Sequence, residues 1–182
     1  VRAAGRLCAD DAMTLAEQRA VRRSTMAERV AKAAEVAMRP GPCLVWCELN
    51  DEGEALAKAI PDAVQVAGSD TPDDKAARLL GFASGEHRVL ISKPSLAGFG
   101  LNFQRCARMV FVGASHSYEQ TYQAVRRCWR FGQTQRVEVH MIRTEADGQI
   151  AQNMKRKEAD AARMANAMVM HMADLTAENV RG

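Results

Sequence analysis

CLVWCELNDEGEALAKAIPDAVQV, residues 43 to 66, is the stretch on which the fold turns. Its first seven residues are a continuous apolar run of the kind found in strands buried on both faces of a parallel sheet. Pro40, Gly41 and Pro42 stand just before it and stop whatever precedes. A polar, alanine-rich stretch follows at 51 to 60 with helical character, and a second short apolar run comes at 63 to 67. The same alternation continues downstream. A helix is expected at 72 to 84, a strand at 88 to 92 leading into a Gly-rich loop, a strand at 108 to 112, a helix at 117 to 130 and a strand at 136 to 142. Strands alternating with helices across short connections imply an α/β fold, a parallel sheet with helices on both faces. In open sheets of this type, ligands sit beyond the carboxyl ends of the strands, so the loops there are where chemistry is expected.

Upstream, residues 10 to 39 are rich in Ala, Arg and Glu. Their apolar positions (Leu15, Val21, Met26, Val30, Ala33, Ala34 and Ala37) follow helical spacing and read as helix in two pieces. Downstream, 150 to 174 carries five of the ten methionines (Met154, Met164, Met168, Met170 and Met172). It is expected to be a helix packing an adaptable apolar face on the domain, or else offering a partner groove. The organisation is therefore a helical lead-in over 1–40, an α/β unit over 41–145 and a C-terminal helical extension over 146–182. At 182 residues, 47% of them apolar, the chain can bury one sizeable core but is short for two.

Composition narrows the function classes. No apolar run approaches the roughly 18 residues that span a membrane, and VRAAGRLCADDA lacks a signal peptide's apolar stretch, so an intracellular protein is expected, cytoplasmic in a bacterial or phage-infected cell. Five cysteines, three of them (Cys43, Cys47 and Cys106) in or near apolar segments, argue against a disulfide framework. Cys43 and Cys47 would share one side of a strand, but no second pair lies near to complete a zinc site, and His87, His116, His140 and His171 have no metal spacing. No metal site is expected. A net charge of +3 says little by itself; its distribution says more. Residues 122 to 136 hold Arg126, Arg127, Arg130 and Arg136 without one acid.

Those arginines belong to the sharpest motif, QAVRRCWRFGQ, from Gln123 to Gln133. On a helix, Gln123, Arg127 and Arg130 fall at offsets of four and three and share a face. A face of guanidinium groups without interleaved acids is built to meet an anion, either the charge of a phosphoryl-transfer transition state or a nucleic-acid backbone. Trp129 in this run either stacks on a base or packs the helix onto the sheet. The second motif is ISKPSLAGFGLNFQ, residues 91 to 104, in which Gly98 and Gly100 at a strand's end permit close backbone approach to a ligand. A third stretch, VAGSDTPDDKAARLLGFASGEHRVLIS, residues 66 to 92, reads as strand, turn, helix and strand, with Thr71 and Pro72 as start signals.

Taken together, these runs resemble the second, C-terminal RecA-like lobe of superfamily-two helicases and DNA translocases of the Swi/Snf-like kind, over about residues 43 to 143. QAVRRCWRFGQ resembles motif VI, Q-x-x-x-R-x-x-R-x-G-Q, and ISKPSLAGFGLNFQ resembles motif V. The resemblance implies a RecA-like fold and a bipartite ATPase. Arg127 and Arg130 would act as arginine fingers toward ATP and magnesium held mainly by a separate first lobe, with Gln123 close to the γ-phosphate. The motif V role, joining the nucleotide cleft to the DNA backbone, would fall on Ser92, Lys93, Gly98, Gly100 and Asn102. DNA, contacted through its backbone without regard to sequence, and the first lobe are the implied partners. Two departures stand out. The loop is one residue longer than the usual form and carries Lys-Pro, which resembles helicases encoded by phages. Arg126 replaces a common Gly, where a phosphate-backbone contact and a salt bridge are both open.

DEGE, Asp51 to Glu54, imitates a Walker B box, but no G-x-x-x-x-G-K-[ST] loop exists in the chain to accompany it. Asn50 or Asp51 is instead expected to cap a helix. The chain thus holds at most half of such an ATPase site. The alternative is a RecA-like module that binds nucleic acid or protein without nucleotide chemistry.

Overall fold

The computed structural model describes residues 23–99, 102–113, 117–143, 159–160 and 163–164. Helix α1 (Met26–Ala37) leads into strand β1 (Cys43–Trp46). Helix α2 (Asn50–Ala59), strand β2 (Ala63–Gln65), helix α3 (Pro72–Ser84) and strand β3 (Val89–Ser92) follow. A 3-10 turn (Pro94–Phe99), strand β4 (Arg108–Val112), helix α4 (Tyr118–Val125) and strand β5 (Glu138–Ile142) complete the described unit. The five strands form one parallel sheet in the order β2-β3-β1-β4-β5. Every strand and helix expected between residues 43 and 142 is present, although several are shorter than the sequence pattern suggests.

Strand alternation divides the core into two layers. Cys43, Val45, Val89, Ile91, Val110 and Val112 face α1 and α2, packing on Val30, Ala33, Ala37 and Leu56. Leu44, Trp46, Leu90, Met109 and Phe111 face the other way, onto Leu79, Phe82, Phe103, Ala124 and Cys128. The fully buried central strands explain why β1 reads as an unbroken apolar run. Helix α1 buries the small residues that its sequence spacing predicts. Val36 and Arg29, 8% and 2% exposed, join the core beyond the positions that spacing picks out.

Local chemistry sets the ends of the helices. Thr71 Oγ1 accepts from the Asp74 amide at 3.2 Å, with Pro72 just inside α3, as the sequence indicates. Gly85 closes α3 in the left-handed conformation, φ 94°, and its amide returns to the Gly81 and Phe82 carbonyls. Helix α2 differs from expectation. Neither Asn50 nor Asp51 caps it; the cap residue is Leu49, and the buried Glu52 supplies the bonds, accepting from the Glu48 and Leu49 amides at 3.1 Å each. A carboxylate without side-chain donors from its own turn thus binds the free amides at the positive end of the helix.

The expected helix over 117 to 130 is also shorter, ending at Val125. Beyond it the chain turns tightly, with Arg127 and Cys128 amides bonded to the Ala124 and Val125 carbonyls. The Arg127 carbonyl is claimed by the Phe103 amide at 2.8 Å, which takes it out of helical register. The Met-rich extension lies outside the described residues apart from short helical pieces at 159–160 and 163–164.

Candidate functional site

The turn after α4 is fastened to the returning half of the β3–β4 connection. Gln133 is the hub. Its Nε2 donates to the Gln104, Cys106 and Cys128 carbonyls at 2.9, 3.2 and 3.2 Å, and its Oε1 accepts from the Gln135 amide at 2.9 Å. Gln104 reciprocates, donating Nε2 to the Phe131 carbonyl at 2.6 Å. Beside it Gly132 adopts φ 90°, the left-handed conformation that lets the chain reverse after an almost wholly exposed Phe131. Arg130 Nη1 donates to Asn102 Oδ1, which joins the second motif directly to the first. Each amide side chain here offers both donor and acceptor, so one residue ties several backbone carbonyls together.

This framework holds two arginines in different settings. Arg130 is exposed, while Arg127 is half-buried. The Nε of Arg127 is enclosed without a hydrogen-bond partner among the described residues. None of Arg126, Arg127, Arg130 and Arg136 takes part in an ion pair among the described residues. Four uncompensated guanidinium groups within eleven residues make a locally positive surface. The expected single helical face is corrected in one respect. Gln123 lies exposed on α4, but Arg127 and Arg130 follow the helix in the turn, brought near Asn102 and Phe103 by the bonds just described. The arginines thus sit beside the loop that enters the amino end of β4, not in the loops directly after the strands.

The other expected residues divide. Gly98 lies in the 3-10 turn, and Lys93 precedes it, half-buried. Gly100 is outside the described residues. Ser92 is 3% exposed inside β3, with its hydroxyl donating to the Val66 carbonyl at 3.4 Å. Arg126 makes no salt bridge among the described residues; its guanidinium carbon lies 6.0 Å from the Tyr122 ring and 5.6 Å from the Trp129 ring. Trp129 lies outside the buried core layer, 55% exposed. Gln104 and Gln133 end the two quoted motifs, yet their role depends on contacts 27 to 29 residues apart that no local pattern announces.

The Cys43 and Cys47 thiols are pushed up to about 12, burial being the main cause, with Cys106 and Glu52 respectively adding to it. They stay protonated at neutral pH and are poor metal ligands. Cys106 and Cys128 share a thiol hydrogen bond that lowers the former and, with burial, raises the latter. Among the described residues no cluster of three or more His, Cys, Asp or Glu side chains could hold a metal ion. None of the described helices is long and apolar enough to cross a membrane.

The helicase conserved C-terminal domain family matches residues 28–132, more than half of the chain. No curated protein matches it in sequence. Among solved structures, the C-terminal part of the Fun30 ATPase domain aligns with a TM-score of 0.61 at 17% identity, covering 78% of this chain and 47% of that one. The chain thus spans about half the length of that structure. The C-terminal domain of the DEAD-box protein Dbp5 aligns with a TM-score of 0.60 at 13% identity over 75% of this chain and 80% of that one. A variant of the S. cerevisiae Dbp5 C-terminal domain, bound to Gle1 and IP6, aligns with a TM-score of 0.62 at 12% identity, over 74% and 80%. These likenesses show a RecA-like fold.

Proposed function

Because this chain belongs to the helicase conserved C-terminal domain family, we propose that it is the second lobe of an ATP-dependent DNA helicase or translocase of the Swi/Snf-like kind. The observation that carries the reading is the joining of the two motifs: Arg130 bonded to Asn102, and Arg127 held beside Phe103, with no acid paired to either arginine among the described residues. In this reading the two guanidinium groups face a nucleotide bound on a first lobe. Their planar donors stabilise the negative charge that develops on the phosphoryl oxygens during transfer. Gln123, exposed on α4, approaches the same phosphate. The chain has no phosphate-binding loop of its own and no carboxylate cluster for magnesium among the described residues, so ATP and its metal are held by the first lobe.

DNA is contacted through its backbone by Lys93, Arg126 and the Gly98–Asn102 loop, a mode that does not read sequence. The longer loop with Lys93 and Pro94 supports a phage-like member of the group. The reading is tested by the chain alone: with half of the site, the 182 residues hydrolyse no ATP, with or without DNA. DNA-stimulated turnover by the isolated chain would contradict it.

A further inference from the structure

Beside the arginine turn lies a feature that neither ATP hydrolysis nor backbone contact explains. Tyr118 and Tyr122, one helical turn apart on α4, stack with centroids 6.1 Å apart and planes at 25°. Arg126, one turn further on, lies between Tyr122 and Trp129, which extends the stack as a column of π faces and one cation. Tyr122 is 41% and Trp129 55% exposed, so the column is open to solvent along its outer side. It ends at a cleft of about 400 Å³ between the turn and edge strand β5. Trp129 and Val125 line the cleft from the α4 side, Val137 and Val139 from the strand, and Arg130, Arg136 and Gln135 at its polar margin.

The chemistry of this cleft is selective. It offers an exposed indole, an apolar floor and two guanidinium groups, and among the described residues no acid lines it. Strand alternation contributes to that: Val137 and Met141 pack on the α4 side, while Glu138 of the intervening position pairs with Arg108 and His140. An apolar ligand would leave the Arg136 guanidinium unused, and a bare anion would leave the indole and the valines unused. A nucleotide satisfies both, with its base on the indole and its phosphate on Arg136, while Arg130 stays bonded to Asn102. The open aromatic column leading away from the cleft gives further bases a surface on which to stack, which favours a strand over a single nucleotide.

We propose that the Trp129 cleft and the Tyr118–Tyr122–Arg126 column bind single-stranded nucleic acid by base stacking, a second nucleic-acid site that shares Arg126 with the backbone contacts and otherwise lies apart from the Gly98–Asn102 loop. The inference rests on the helicase reading for its biological sense but not for its test. Binding of a fluorescein-labelled oligothymidylate to the full chain is measured by anisotropy, beside an abasic strand of the same length. Trp129→Ala weakens binding of the oligothymidylate about 5- to 100-fold, while Trp129→Phe retains most of it. The abasic strand binds the parent more weakly and is indifferent to Trp129→Ala, whereas Arg136→Ala weakens both strands. The buried Trp46, 2% exposed, reports by its fluorescence that the variants remain folded. Equal oligothymidylate affinity in Trp129→Ala and parent would overturn the proposal, as would no binding by the parent, or an equal loss on both strands. Displacement by free thymidine monophosphate at concentrations matching the strand's would also overturn it, since the cleft would then serve a lone nucleotide. ATP turnover enters none of these measurements, so their failure leaves the arginine-finger reading standing, and failure of the fingers leaves strand binding standing.

Discussion

Glu52 brings a carboxylate into the core at 0% exposure, and Arg29 meets it at 2.6 Å from another helix 23 residues earlier. The pair ties α1 to the first turn of α2. The same carboxylate caps α2 through the Glu48 and Leu49 amides. Removing one member leaves the other charged and buried, a loss of about 3–5 kcal/mol. Glu52→Ala should therefore lower the urea midpoint sharply, and Arg29→Met combined with Glu52→Leu should recover much of the loss. A Glu52→Ala variant as stable as the parent would show that the charge is not carried in the core. The buried thiols make a second prediction at this scale. Cys43 and Cys47 titrate at about 12 in the fold against an ordinary value of 9.0. The native chain keeps protons that the unfolded chain releases, so the stabilisation is fully present below about pH 9 and erodes as the pH rises toward 12. Urea midpoints followed through this alkaline window should fall less steeply in the Cys43→Ala, Cys47→Ala double variant.

At the scale of elements, the paired turn and loop are what position the arginines. Gln133 holds three carbonyls from two segments, so Gln133→Ala leaves those acceptors short of a donor and should cost about 1–3 kcal/mol in thermal unfolding. In the two-lobe enzyme the same variant should reduce ATP turnover while leaving ATP affinity nearly unchanged, because it loosens the fingers without touching the nucleotide. Gly85→Ala belongs here too. Its φ of 94° disfavours any side chain, and the destabilisation expected is about 1 kcal/mol by the same unfolding assay.

The sheet was legible because its signal is local and repeated: buried runs such as Cys43–Trp46 read as strands whatever lies elsewhere, and Thr71, Pro72 and Gly85 punctuate α3 by their own backbone preferences. The motifs QAVRRCWRFGQ and ISKPSLAGFGLNFQ name residues that the fold brings together, Arg130 and Asn102, but helical spacing placed Arg127 on a helix that ends at Val125, where the Arg127 and Cys128 amides turn to the Ala124 and Val125 carbonyls and the Phe103 amide meets the Arg127 carbonyl. The cap of α2, expected at Asn50 or Asp51, was missed for a related reason. An acid in the first turn of a helix looks solvent-facing until a distant Arg29 draws it inward.

For the whole molecule, the chain belongs to the helicase conserved C-terminal domain family, and its five-stranded sheet carries the arginine turn on the side of β4 and β5; in the proposed reading it is one half of a two-part ATPase. The column and cleft along α4 and β5 add a stacking surface beside the turn, so strand binding and nucleotide hydrolysis would be coupled through a single short segment, Arg126 to Arg136. The most direct test of the central claim is DNA-stimulated ATP hydrolysis by this lobe joined to its native first lobe, comparing the parent with Arg127→Ala and Arg130→Ala. The account predicts a loss of about 10³-fold or more in turnover for each variant, with the fold intact. Parental turnover in both would contradict the assignment of arginine fingers.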